Sequence, residues 1–200
     1  MTTAKDLFII ALHLGPPNRP VGQGDLSLAL AGAELIDLVA AHAATLEGDR
    51  IVPDRQPTLD DHLLGEAAAA LDRQAPYERV EDWLWRRGRE LSATYQAALE
   101  EDGQLDQGRH GRLPLGADRV EPADTPSRRQ ALNRWEENEP VLAALASAVG
   151  IRSGRPEDEP GVEDEAVTTV LAAVSDAVIE LEAVRQRRSI ENAAFANVWR

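Results

Sequence analysis

The chain contains no cysteine, which excludes disulfides, thiol nucleophiles, Cys-ligated zinc and iron–sulfur clusters. Lysine is nearly as scarce: Lys5 is the single non-arginine among 21 basic residues, set against 35 acids and a net charge of −14. Duplex nucleic acid needs a clustered basic surface, so this balance argues against it as the main partner. Anionic lipid repels an acidic face, which argues against a polybasic membrane tether. No apolar run nears the ~20 residues that span a bilayer. Residues 1–15 hold one Lys and a short apolar stretch interrupted by Asp6, without the small-residue cleavage site of a signal peptide. A cytoplasmic protein is the expectation.

What is present is helical period. At 200 residues, 43% hydrophobic and 28% charged, the chain suits one globular domain. Residues 163–184 place Val167, Val170, Leu171, Val174, Ala177, Val178, Leu181 and Val184 at spacings of three and four, a surface helix with one buried face. Residues 26–39 leave only Ser27, Glu34 and Asp37 polar, so that helix belongs at the centre of a bundle. Gly32 would let a neighbour approach it closely, and Asp25 is a plausible N-cap. Thr58 with Asp61, Thr125 with Pro126, and Pro140 with Gly150 mark further helix ends. A long segment near 77–102 carries Trp83, Trp85, Leu91, Tyr95 and Leu99. Residues 44–53 and 104–120 have the turn composition of small hairpins, and 151–162 reads as a loop. Seven to nine helices in one all-α domain are expected.

Three groups of residues carry chemistry worth weighing. Arg86, Arg87 and Arg89 form the densest basic group in the first half, beside Trp83 and Trp85, which suits an anionic headgroup at a membrane interface. On a continuous helix Arg86 and Arg89 would share a face. In the plainer alternative the arginines pair with Glu81, Asp82 and Glu90 while the tryptophans pack in the core. Leu113, Pro114 and Leu115 follow Arg109, His110 and Arg112 on the second hairpin, a pattern fit for shallow insertion into a bilayer or contact with a second subunit. Asp60, Asp61 and Glu66 are the weak candidates for magnesium, which wants near-octahedral oxygen ligands and would need a second motif that Asn133 and Glu137 supply poorly. The four histidines have no metal-ligand spacing, and there is no Gly-x-Ser-x-Gly elbow or phosphate loop.

The order of these pieces resembles the Golgi phosphoprotein 3 family. The resemblance runs from Asp6–Leu12 through Leu30–Leu38, with its Ala-Gly-Ala-Glu-Leu-Ile-Asp core, and Gly48–Val52. Pro57–Leu71 lies where the family typically carries Pro-Thr-Gly-Asp followed by Leu-Leu-Asp-Glu-Ala-Leu. Leu99–Leu105 is similar to its helix end before a β-hairpin, and Asn133-Arg134-Trp135 and Val141–Gly150 fit its later helices. The resemblance implies a bacterial member of the actinomycete type, and a helical bundle with peripheral amphipathic helices and a small projecting β-hairpin. Eukaryotic members are peripheral membrane proteins that bind phosphatidylinositol 4-phosphate in a shallow basic pocket and contact cytoplasmic tails of Golgi enzymes; their hairpin is tied to self-association. That pocket uses a Trp and an Arg around the start of the central helix and two Arg one turn apart. In this chain the matching positions are Val21-Gly22, Ala31, Arg89 and Ser92, so only Arg89 survives. A multiply charged headgroup generally needs several charge-assisted contacts, and the fold therefore carries over better than the ligand.

The resulting expectation is one domain over 1–200 acting as a non-catalytic adaptor or reversible peripheral membrane protein, without a cofactor. Its partners would be an anionic lipid headgroup, a protein, or a second copy through the hairpin. The alternatives are an acidic interaction subunit, and a helical magnesium-dependent enzyme acting on a phosphorylated or isoprenoid substrate beside Asp60, Asp61 and Glu66.

Overall fold

Several of the helices begin where a side chain caps the orphan N–H groups of the first turn. The structure, a computed structural model, describes residues 2–15, 21–54, 59–106, 121–122, 124–152 and 163–198. Thr2 Oγ1 accepts the Lys5 N–H to start α1 (Thr3–Leu14). Asp61 does the same for Leu64 at α3 (His62–Ala69), Thr125 for Arg128 at α6 (Pro126–Glu136), and Glu139 for Val141 and Leu142 at α7 (Pro140–Ala148). Asp61 is thus itself the cap; Thr58 lies outside the described residues. Helix α2 (Gln23–Ala40) departs from expectation, because its N-cap is Gly22 and Asp25 stands in the first turn instead.

The apolar run of α2 puts it at the centre. Leu28, Ala29, Leu30, Ala31, Ala33, Leu35 and Leu38 are at most 3% exposed, and α1, α4 (Val80–Arg87), α5 (Leu91–Glu101) and α8 (Glu165–Val198) pack around it. Gly32 has the role its position implied: a β-carbon there would collide with Val174 Cγ2 of α8. The segment near 77–102 is two helices, not one. Gly88 closes α4, and Glu90 takes a left-handed conformation (φ 55°) before α5 begins. Two antiparallel hairpins lie at the edge of the bundle: β1 (Ala44–Glu47) with β2 (Arg50–Pro53), and β3 (Leu105–Asp106) with β4 (Glu121–Pro122). The residues joining β3 to β4, with Leu113, Pro114 and Leu115, lie outside the described residues, as do 153–162. The fold is the mainly helical bundle that the sequence implied.

Candidate functional site

The break at Gly88–Glu90 determines what each of the three neighbouring arginines can do. Arg86, in the last turn of α4, is held on the protein: its Nε and Nη2 donate to both carboxylate oxygens of Glu78 at 2.6 Å, Nη2 also reaches the Ala70 carbonyl at 3.0 Å, and the guanidinium stacks 5.2 Å from the Trp83 ring centroid. Arg87 points inward. Its Nε and Nη2 donate to Glu34 at 2.8 and 3.0 Å, and the Glu34 side chain is wholly buried on the central helix. Tyr95, buried on α5, donates its hydroxyl to the same carboxylate at 3.1 Å. Burial pushes the Glu34 carboxyl above the ordinary range, and the hydrogen bonds from Arg87 and Tyr95 pull against that rise.

Arg89, outside either helix, is exposed and makes no ion pair among the described residues. It does not share a helix face with Arg86, because α4 ends at Arg87. The partners of Arg86 and Arg87 are Glu78 and Glu34, not Glu81, Asp82 or Glu90. Trp83 is in the core, 0% exposed, with its indole N–H on the Ala31 carbonyl at 3.0 Å, while Trp85 is half-buried.

Of the positions that the resemblance would set around a headgroup, Ala31 and Ser92 are buried and Arg89 is exposed. The Ser92 N–H donates to Ser27 Oγ, whose hydroxyl donates back to Ser92 Oγ, both at 3.0 Å. Above Gly22 and Gly24 lies the guanidinium of Arg185, reaching over from α8 to grip both carboxylate oxygens of Asp25 at 2.7 and 2.8 Å. A β-carbon on Gly24 would stand 2.9 Å from Arg185 Nη2, so the small residue is what lets this pair close. Glu34 and the Asp25–Arg185 pair were not singled out by sequence reasoning. Glu34 had a signal, since an acid within a helix apolar nearly all round must find a cation or a proton. Asp25–Arg185, 160 residues apart, had none.

The acidic candidates do not come together as a metal site. Asp61 caps α3 and pairs with Lys5 Nζ at 2.8 Å, Glu66 faces His62 at 3.7 Å, and among the described residues no group of three or more His, Cys, Asp or Glu could hold a metal ion. Among the same residues no helix is long and apolar enough to cross a membrane.

A half-buried carboxylate sits where α1 meets α2. Asp37 accepts the Ala4 N–H of the first turn of α1 at 3.2 Å, and burial outweighs its hydrogen bonds to raise its pKa to about 6. Between about pH 4 and pH 6 the folded protein therefore holds a proton at Asp37 that the unfolded chain has released, so this group's contribution to stability falls as pH rises through that window. Asp37→Asn, which retains an acceptor oxygen, is expected to flatten this fall. Urea midpoints of the two proteins at pH 4, 6 and 8 check it: the variant gains on the parent as pH rises, and an unchanged difference would refute the assignment.

These features belong to a recognisable class: a central apolar helix enclosed by peripheral helices, with small edge hairpins and arginines gathered at the α4–α5 junction. A family model described as Golgi phosphoprotein 3 (GPP34) matches residues 4–189. The chain belongs to that family. No curated protein matches it.

Proposed function

We propose that this protein is a non-catalytic peripheral adaptor of the Golgi phosphoprotein 3 type in which internal ion pairs have largely replaced the phosphoinositide pocket, leaving Arg89 as its remaining contact with an anionic surface. The observation that carries the reading is the different fate of three consecutive basic positions. Arg86 and Arg87 each spend two hydrogen bonds on one glutamate, while Arg89 is exposed and without an ion pair among the described residues. A single exposed guanidinium gives a weak, salt-screened attraction that does not distinguish one anionic headgroup from another. The net charge of −14 opposes close approach to an anionic membrane by any other face. Leu113 and Leu115 would add the apolar part of the contact.

Co-sedimentation tests this with vesicles of phosphatidylcholine alone or carrying phosphatidylserine or phosphatidylinositol 4-phosphate, at low and physiological salt. Binding is expected to both anionic compositions, weakly and at low salt, and to fall several-fold in Arg89→Glu. Unchanged binding by a folded Arg89→Glu protein would sink the reading. Tight binding restricted to the phosphoinositide would show that a specific pocket persists.

A further inference from the structure

Past Arg185 the last helix leaves the body of the protein. Residues 186–192 of α8 are all exposed, and an unpacked helical stretch is marginal in water. On the face of α8 turned away from α2, Ala172, Asp176, Ile179, Ala183, Gln186 and Ile190 follow one another at spacings of four and three, and all six are exposed. That is the period of a helix–helix seam. Ile179 and Ile190, at 68% and 70%, are by far the most exposed large apolar side chains among the described residues. They stand roughly 16 Å apart along the axis, three turns, and so share a face.

Charge selects what covers this seam. Glu180 and Asp176 line a groove of about 570 Å³ between α8 and the start of α4, where the Asp49 and Glu81 carboxylates opposite are already paired with Arg79. The projecting end of the same helix instead carries Arg187 and Arg188. Glu180 and Arg187, seven residues apart, fall on one flank of the isoleucine seam. A helix with acid at one end of a flank and base at the other complements a copy of itself only when that copy runs antiparallel.

We propose that α8 pairs antiparallel with α8 of a second copy about a two-fold axis near Val184, seating Ile179 on the partner's Ile190 and Glu180 beside the partner's Arg187. The contact is isologous, so each of these pairs occurs twice. Asp176 and Gln186 within the seam, and the approach of Asp176 to the partner's Glu191, keep the association reversible. This interface is separate from the hairpin, and from the headgroup contact at Arg89.

Sedimentation velocity of the full chain over a concentration series, at low and physiological salt, tests the pairing. A monomer–dimer equilibrium is expected that weakens with salt. Ile179→Glu and Ile190→Glu should each raise Kd by about tenfold or more, with circular dichroism lowered only by fraying of the helix past Arg185. Glu180→Arg should weaken the dimer and Glu180→Arg with Arg187→Glu should restore it, since the two reversed charges meet across the axis. The chain has no cysteine of its own, so oxidising a mixture of Ile179→Cys and Ile190→Cys proteins should yield chiefly the mixed disulfide. A monomer at every concentration overturns the proposal. So does a dimer indifferent to both isoleucine changes, a charge reversal that fails to restore, or a preference for same-site disulfides, which would mean parallel helices.

Discussion

Arg87→Ala is expected to lower the unfolding free energy by about 3–5 kcal/mol, the cost of removing one partner of a buried ion pair while the other stays behind. The Glu34 side chain is wholly buried on the central helix, and Arg87 supplies two of the three hydrogen bonds that it accepts. Without the guanidinium, the carboxyl keeps only the Tyr95 hydroxyl and relieves its burial by holding a proton. Its folded-state pKa, already raised by burial, rises further, so the variant loses more stability at higher pH and the deficit narrows on acidification. Glu34→Gln in the Arg87→Ala background removes the stranded charge while leaving an acceptor for Tyr95, and should recover most of the loss. Urea denaturation of the parent, both single variants and the double variant at pH 5 and pH 8 checks the set. The result also separates two roles for Arg87. A variant as stable as the parent that loses vesicle binding would return Arg87 to the headgroup contact; a destabilised variant with the parent's vesicle binding would leave it inside the fold.

Gly32→Val is expected to cost about 3 kcal/mol, at the upper end of what overpacking a close helix contact usually costs. The obstacle is specific: a β-carbon at residue 32 meets Val174 Cγ2, with Val170 Cγ1 at 3.5 Å and Leu84 Cδ2 at 3.7 Å completing the wall. Helix α8 is seated on α2 through Val170, Val174 and Ala177, all at most 3% exposed, so displacing it loosens one side of the bundle. Truncating the obstacle supplies the control. Gly32→Ala with Val174→Ala should be more stable than the sum of the two single losses predicts, because the new methyl occupies the space that Val174 vacates. Thermal melts, with limited proteolysis of α8 as a second readout, decide this. Simple additivity would mean that α2 and α8 do not meet at Gly32 as described.

The central position of α2 was legible in the chain, because a helix apolar nearly all round has nowhere else to go. Helix starts at Thr125-Pro126 and Pro140, and the tight approach at Gly32, could also be read locally. The candidate site was legible only in part. That Arg86, Arg87 and Arg89 mattered together followed from their crowding, but their separate fates followed from a turn at Gly88–Glu90, where the helical pattern alone runs on.

By itself the sequence determined the class of fold, the absence of thiol chemistry, the acidic surface and the family. The first three depend on composition, or on apolar spacing within a single element, and the family on the match of residues 4–189 to its model; all are properties of the chain before it folds. Only the tertiary structure decided which charges are spent inside the protein. Glu34 finds Arg87 at a separation of 53 residues, Asp6 finds Arg134 at 128, and Asp25 finds Arg185 at 160. The physical reason is desolvation: a buried carboxyl must be paired or protonated, and which arginine reaches it depends on how helices distant in sequence pack, information that no local pattern carries.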